Sequence, residues 1–399
     1  MSVFLNSRTD LISPRCANFG LCGGCSLQNE PYFRQVEGKL TNLKEAFNSL
    51  GVVPSAIHPS PSEWFYRNKM EFSFGTDGIG PALGLKAKGQ WSKVLDLKEC
   101  YLLSPEAPAL LKSVRNWALE EKLSVYDPRS HQGLLRHLVV RESGDKKERM
   151  VLLVSSSEDF PKESFTRAVL GAYPATGVLW GRNNQISDTA SVEEPRLLWG
   201  KEFVVETIES GGRKLHYQVS SQSFFQSNTR ATQALHSFIR EKVKLVSPKL
   251  IVDLYCGLGA ITLSVADLCD KVIGLESVES AIMDARLNSE RNGIKNASFY
   301  SGLAEIILPA LLAMKPELLI VDPPRSGIHP KALLAIEKAD VPAILYVSCN
   351  PKTLLRDLSV LLNRYNPLSF TAFDFFPQTE HVETAIFLAS KNAILFKGS

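Results

Sequence analysis

Nowhere in the 399 residues does an unbroken apolar run approach the roughly 20 residues that a membrane-spanning helix needs. The opening stretch, MSVFLNSRTDLISPRC, is too polar for a secretory signal. These two absences argue against a membrane protein and make the cytoplasm the expected location. An excess of one charge is missing as well: 45 Lys and Arg face 42 Asp and Glu, a formal net charge of +3. The net charge therefore argues neither for nor against nucleic acid, and any RNA surface has to be a local patch. Cysteine is scarce and odd in number, seven in all, which speaks against a disulfide framework in a reducing compartment. There is no internal repeat and no low-complexity tract, so a solenoid is not expected. What is present is ordinary globular composition, 44% hydrophobic and 22% charged, with length for two or three domains. A monomer is expected.

The chain divides by pattern. Residues 1–51 form an irregular segment holding Cys16, Cys22 and Cys25, followed by a helix from about Tyr32 to Leu50 that Gly51 ends. Residues 52–219 mix short strand-like runs (MEFSF at 70–74, ALGLK at 82–86, KVLDL at 93–97, LLRHLVVR at 134–141, RMVLLV at 149–154) with helical stretches near 106–122 and 162–171. That mixture predicts an α+β middle domain. From 220 to 399 apolar strands alternate with helices: LIVDLY, KVIGLE, SFY, LLIVD and AILYVS. Continuous apolar strands suit a parallel sheet covered on both faces. The last stretch, FTAFDFFPQTEHVETAIFLAS, predicts two further strands as an antiparallel pair. The expected fold class is α/β, with a Rossmann-like unit at the C-terminus.

The first strand of that unit runs into a glycine turn, Asp253-Leu-Tyr-Cys-Gly-Leu-Gly259. Gly257 and Gly259 let the backbone approach a ligand at the carboxyl end of the strand. The second strand ends in Glu276, where an acid can hydrogen-bond ribose hydroxyls. The third glycine of the dinucleotide fingerprint is absent, and so is a P-loop lysine. A nucleoside without a pyrophosphate fits better, and S-adenosylmethionine is one. Tyr255 can line its pocket.

Two later strand ends carry chemistry. LLIVDPPRSG puts Asp322 at the end of the fourth strand, and AILYVSCNP puts Cys349 at the end of the fifth. PQTEHVE supplies His381 and Glu383. Carbon 5 of uracil is a poor nucleophile until a thiolate adds at carbon 6. The adduct can then take a methyl group, and a base must remove the C5 proton before the thiolate leaves. One thiolate, one base and hydrogen bonds to the pyrimidine edge are needed, and Cys349, Glu383 and Asp322 suit those roles. A lone buried cysteine is otherwise a packing residue. The target base has to be unpaired or flipped out of a helix.

The cysteines Cys16, Cys22 and Cys25 with Cys100 form a set of four thiolates able to hold zinc or an iron–sulfur cluster. Gly23 and Gly24 permit a tight loop around a bulky cluster, which leans to iron. Cys256 and Cys269 read as packing. Clusters of cations near aromatics suggest RNA contacts: Arg67 with Lys69; Lys86 and Lys88 with Trp91 and Lys93; and Arg129, Arg136 and His137. Phe224 and Phe225 beside Gln226 suit either a base pocket or the core.

Taken together, the chain resembles the RNA uracil-5-methyltransferases, and the iron–sulfur-containing 23S ribosomal RNA members more than the transfer RNA member. The matching blocks are Cys16-x5-Cys22-Gly-Gly-Cys25, Tyr66-Arg-Asn-Lys69, Cys100, Leu135-Arg-His137, Ser223-Phe-Phe-Gln-Ser-Asn228, Asp253 to Gly259, Asp322-Pro-Pro-Arg325, Ser348-Cys-Asn-Pro351 and His381-Val-Glu383. The resemblance implies Cys349 as nucleophile and Glu383 as the base. It implies that Gln226, Tyr255, Glu276 and Asp322 line the cofactor and base pocket. It also implies a [4Fe–4S] cluster on Cys16, Cys22, Cys25 and Cys100, with a structural role. Many relatives carry an N-terminal RNA-binding β-barrel before the first cysteine, and no such module is expected here. Two rival readings remain. An amine methyltransferase of the same fold would have an aromatic residue where Arg325 stands. A non-catalytic iron–sulfur RNA-binding protein would not need Cys349 and Glu383.

Overall fold

The computed structural model describes residues 11–76, 78 and 80–393. Its first half contains α1 (Tyr32–Phe47), β1 (Ala56–His58), β2 (Lys69–Thr76), β3 (Pro81–Ala87), β4 (Gln90–Asp96), α2 (Ala107–Glu120), β5 (Leu135–Glu142), β6 (Arg149–Ser155), α3 (Lys162–Ala172), β7 (Gly177–Arg182) and β8 (Arg196–Gly200). A hairpin follows, β9 (Phe203–Ser210) and β10 (Arg213–Ser220). The second half contains α4 (Thr229–Val246), β11 (Leu250–Leu254), α5 (Ala260–Val265), β12 (Lys271–Glu276), α6 (Glu279–Arg291), β13 (Ala297–Ser301), α7 (Ala304–Leu312), β14 (Leu318–Val321), α8 (Pro330–Ala339), β15 (Ala343–Ser348), α9 (Pro351–Leu361), β16 (Tyr365–Phe373) and β17 (Glu383–Ser390). Among the described residues no helix is long and apolar enough to cross a membrane.

The C-terminal sheet has the order β1-β16-β17-β15-β14-β11-β12-β13. Its apolar strands β11, β12, β14 and β15 pair in parallel, as continuous runs of branched residues favour when both faces are covered. β17 runs antiparallel to both β15 and β16, as the expected terminal pair requires. One face is filled by Leu43 and Phe47 of α1 with apolar residues of α7, α8 and α9; the other is filled by α4 and α5. The edge strand comes from far upstream: β1 pairs in parallel with β16, Ala56 opposite Thr371.

The middle sheet has the order β4-β3-β2-β5-β6-β7-β8 and is antiparallel except at β6–β7. Helices α2 and α3 cover one face. β5 and β6 are buried along their whole length. The reason lies on the other face, where Val139, Met150, Leu152 and Val154 meet Val204, Ile208, Leu215 and Tyr217 of the hairpin. Leu258 and Ile282 of the C-terminal unit join the same cluster. Each fully buried aliphatic side chain contributes about 1.5–3 kcal/mol, so the two halves are joined by a shared core. Arg141 adds a buried tie, donating to the Ser223 carbonyl at 2.6 Å.

Candidate active site

Strand register assembles the site. Leu254 of β11 pairs with Val321 of β14, and Val321 pairs with Tyr346 of β15. These parallel strands end at one edge, and Tyr255, Asp322 and Cys349 follow within a few residues. β17 enters the sheet at that edge because it runs the other way, Thr384 opposite Ser348. One step outward along those two strands stand Glu383 and Cys349. The topology therefore brings together residues separated by up to 128 positions, Tyr255 to Glu383.

Local chemistry keeps Cys349 in the turn. Pro351 occupies the first turn of α9, and the Asn350 side chain caps the helix by accepting from Lys352 N at 3.2 Å. Asn350 Nδ2 donates to the Arg325 carbonyl at 2.7 Å, and the Thr353 hydroxyl donates to it at 3.3 Å. The Asp322-Pro-Pro-Arg325 loop is thus stitched to the cysteine turn.

The electrostatics are unfavourable in isolation. Glu383 is 1% exposed, and its Oε1 has no hydrogen-bond partner among the described residues. Burial, then Asp322, pushes the Glu383 carboxyl well above the usual range, against the pull of Arg325. Burial pushes Asp322 up to about 7, while Gln226 Nε2, 3.5 Å from Asp322 Oδ2, works the other way. The Cys349 thiol is pushed up to about 11 by burial first, then by Glu383 and Asp322, with Arg325 opposing. Three acids in one enclosed corner cannot all ionise at neutral pH, and a cation brought among them would favour their charged forms.

Beside this corner lies a cavity of about 310 Å³ lined by Tyr255, Glu276, Gly302, Glu305, Ser326 and His329, among others. Gly257 and Gly259 both take positive φ, 54° and 84°, which a side chain would strain. The Gly257 N–H donates to Glu276 Oε2 at 3.2 Å. Glu276 Oε1 accepts from the N–H groups of Ser277 and Val278 at 2.6 and 3.0 Å. The acid is thereby fixed at the cavity wall. Asp253, part of the glycine-turn motif, is fully buried and supports it: the Thr262 hydroxyl donates to its carboxyl at 2.5 Å. Tyr255 and Glu276 share this cavity, whereas Gln226 and Asp322 meet each other on the side of Cys349.

A larger cleft of about 740 Å³ is lined by residues including Arg67, Lys69, Lys86, His137, Phe224 and His381. The two phenylalanines separate in role: Phe224 is 69% exposed, while Phe225 is buried against Tyr217. Arg136 departs from its expected place in an RNA patch. It is buried, stacked on Tyr126, and donates to the carbonyls of Asn183, Gln185 and Ser187. Asp188 is a cleft residue with no motif around it to flag it. It forms an ion pair with Lys86 and lies 3.1 Å from His137 Nε2, and the contact with His137 is the chief reason its carboxyl is held well below the usual range.

Cys16, Cys22, Cys25 and Cys100 line one small cavity. The segment that carries the first three is laid along β3: Gly23 N donates to the Lys86 carbonyl at 3.1 Å, and Cys22 bridges Ala87. A Cβ on Gly24 would approach Leu85 Cδ1 to 3.0 Å, which accounts for a glycine there. Burial raises all four thiols above their ordinary value; repulsion from Cys100 adds to it at Cys16, Cys22 and Cys25, and repulsion from Glu99 at Cys100. Among the described residues no three His, Cys, Asp or Glu side chains are gathered closely enough to hold a metal ion.

Comparison with known proteins follows the same lines. A family model described as tRNA (Uracil-5-)-methyltransferase matches residues 182–391. A Clostridium tetani protein described as an uncharacterized RNA methyltransferase is 36% identical, over 96% of this chain and 85% of its own. A similarly described protein from Caldanaerobacter subterraneus is 36% identical, over 96% and 86%. Among solved structures, the Pyrococcus abyssi tRNA (uracil-54, C5)-methyltransferase in complex with S-adenosyl-L-homocysteine is similar with a TM-score of 0.76 at 30% identity, covering 93% of this chain and 86% of that one.

Proposed function

The chain belongs to the tRNA (uracil-5-)-methyltransferase family, and from that premise we propose that it methylates carbon 5 of a uridine in RNA through Cys349 and Glu383. The observation that carries this reading is the register of β15 and β17, with Ser348 opposite Thr384 and the thiol and carboxylate one step beyond. Cys349 adds to carbon 6 of the uracil, forming a carbon–sulfur bond and pushing the electron pair toward carbon 5. S-adenosylmethionine, when bound, supplies the methyl group that carbon 5 takes. Glu383 then accepts the C5 proton, the carbon–sulfur bond breaks, and the ring double bond is restored with the thiolate as leaving group. Asp322 and Gln226 orient the base edge and the methyl donor. Tyr255, Glu276 and the glycine turn at Gly257 hold the nucleoside part of that donor. The product complex of the Pyrococcus abyssi relative supports the choice of donor.

The raised values of Cys349, Asp322 and Glu383 fit this chemistry. Burial raises all three, and a sulfonium bound beside them would favour their charged forms. The four cysteines Cys16, Cys22, Cys25 and Cys100 are the donor set we propose for a [4Fe–4S] cluster; the shared cavity and the sequence resemblance support that reading. Methyl transfer uses no electrons, so the cluster's role is structural.

The substrate proposed from the sequence resemblance is 23S ribosomal RNA. Transfer RNA is a second reading, favoured by the name of the Pyrococcus abyssi relative. The test uses RNA carrying 5-fluorouridine. The enzyme should add Cys349 and transfer the methyl group, then stop, because fluorine cannot leave as a cation. A denaturant-stable adduct should map to the peptide containing Cys349, and Cys349→Ala should give neither adduct nor 5-methyluridine. An adduct on Cys256, or methylation by Cys349→Ala, would overturn the reading. Mapping 5-methyluridine in ribosomal and transfer RNA from cells with and without the gene decides between the two substrates.

A further inference from the structure

Glu383 is delivered to the site by an irregular loop, residues 374–382, that joins β16 to β17. A loop of this kind has no ladder to fix it, so its hydrogen bonds have to come from elsewhere. Most come from the N-terminal segment and α1, with others from His58, Tyr66 and Asn228. Lys39 Nζ donates to Asp374 Oδ1 at 2.7 Å and to the Phe376 carbonyl at 3.0 Å. The Tyr66 hydroxyl donates to the Pro377 carbonyl at 3.0 Å. The densest set converges on Gln378, whose backbone sits at a φ of 69°. Gln378 N donates to Gln35 Oε1 at 2.8 Å, and Gln35 Nε2 donates back to Gln378 Oε1 at 2.9 Å. The Gln378 carbonyl accepts from Ser26 N at 2.8 Å and Leu27 N at 3.0 Å. Gln35 Nε2 also reaches the carbonyls of Leu27 and Glu30 at 2.9 Å each. Both glutamines are almost fully buried, at 1% and 2% exposure.

We propose that Gln35 and Gln378 are positioning residues for Glu383: the cysteine-bearing segment closes on this loop as a clasp, and the clasp sets the reach of the base. The proposal rests on the assignment of Glu383 as the base. Ser26 directly follows Cys25, so the hold on Gln378 runs from the cysteine cavity to the proton-abstracting carboxylate. Thr379 and His381, between Gln378 and Glu383, line the RNA cleft. The glutamine pair is not what anchors α1, since Leu43 and Phe47 already lie in the sheet core. Its loss should therefore loosen the loop and spare the fold. Thiolate addition and methyl transfer do not use Glu383, so they should be spared too. Only C5 proton removal and the elimination that follows depend on the clasp.

The test is Gln35→Met in the full-length enzyme, an exchange of similar volume that removes all four of the side-chain bonds named above. With uridine RNA, a covalent protein–RNA intermediate should accumulate and turnover should fall about 10- to 100-fold, the cost of a misplacement near 1 Å. The KM for RNA should fall together with turnover, leaving kcat/KM within about two-fold of the parent, as a loss confined to a step after methyl transfer requires. With 5-fluorouridine RNA, which is trapped before the base acts, the adduct should form at the parent rate. Turnover and adduct formation falling together, or turnover unchanged, overturns the clasp. If Gln35→Met does not fold, Gln378→Gly is read by the same two rates: it keeps the left-handed backbone and loses the side-chain bond from Gln35 Nε2. Absence of any adduct from the unsubstituted enzyme overturns the catalytic assignment and the clasp with it. A normal parent adduct with no step-selective defect overturns the clasp alone.

Discussion

Burying Asp322 beside Glu383 and Cys349 is costly, and the cost has a pH signature. The Asp322 carboxyl is pushed up to about 7 by burial, against about 3.9 in an unfolded chain. The folded state therefore favours its neutral form. Stability from this group is complete below about pH 4 and is lost as pH rises toward about 7. Asp322→Asn removes the titration. Without cofactor, its melting temperature should match the parent near pH 4 and exceed it by about 3–8 °C at pH 8; a gap independent of pH would count against the electrostatic account. Phe224 makes the opposite case. At 69% exposure it contributes little to folding, yet it stands in the cleft with Arg67 and Lys69. Phe224→Ala should melt within about 1 °C of the parent and bind RNA about 5- to 100-fold more weakly, the loss of one stacked base at roughly 1–3 kcal/mol. Equal affinity by filter binding would remove Phe224 from the RNA surface.

The elements that place Cys349 were legible because they obey strong local rules. Buried parallel strands are continuous apolar runs, and LIVDLY, KVIGLE and AILYVS read as such. Asn350 and Pro351 mark the helix start that leaves Cys349 in a turn. Asn350→Ala should cost about 1 kcal/mol as a lost cap. It should also lower kcat more than KM, since the same side chain pins Arg325; steady-state kinetics with a KM effect alone would contradict this. The hairpin β9–β10 lay outside the expected strands although its signal is present. Gly211 and Gly212, at φ of 60° and 77°, join two alternating strands in the manner of a tight hairpin turn. β1 could not be read, because three residues with an exposed pattern carry no periodicity, and its partner β16 lies more than 300 positions away. Asp188 and the Gln35–Gln378 pair were hidden for the same reason. Each is defined by contacts across the chain and by no spacing within it.

With a formal net charge of only +3, the molecule relies on placement: cations gathered in one cleft, acids in one corner, thiols in one cavity. The thiol cavity ties the whole together. Cys16, Cys22 and Cys25 come from the N-terminal segment, and Cys100 from the loop between β4 and α2. The same segment holds Gln378 of the C-terminal loop through Ser26 and Leu27. Four thiols raised by burial would resist ionisation on their own, and the proposed cluster would supply the positive charge that lets them deprotonate. Anaerobically purified protein should therefore contain about four iron and four sulfide per chain, and Cys100→Ser should lose both. Because the sheets have their own cores, the far-ultraviolet dichroism of Cys100→Ser should stay close to the parent. Limited proteolysis should instead open new cuts within residues 11–30, where the chain is held by the cavity and by a few backbone bonds. Stoichiometric zinc without iron would replace the cluster by a single ion. Unchanged proteolysis with the metal gone would show that the segment is held by its hydrogen bonds to β3 and Gln378 alone.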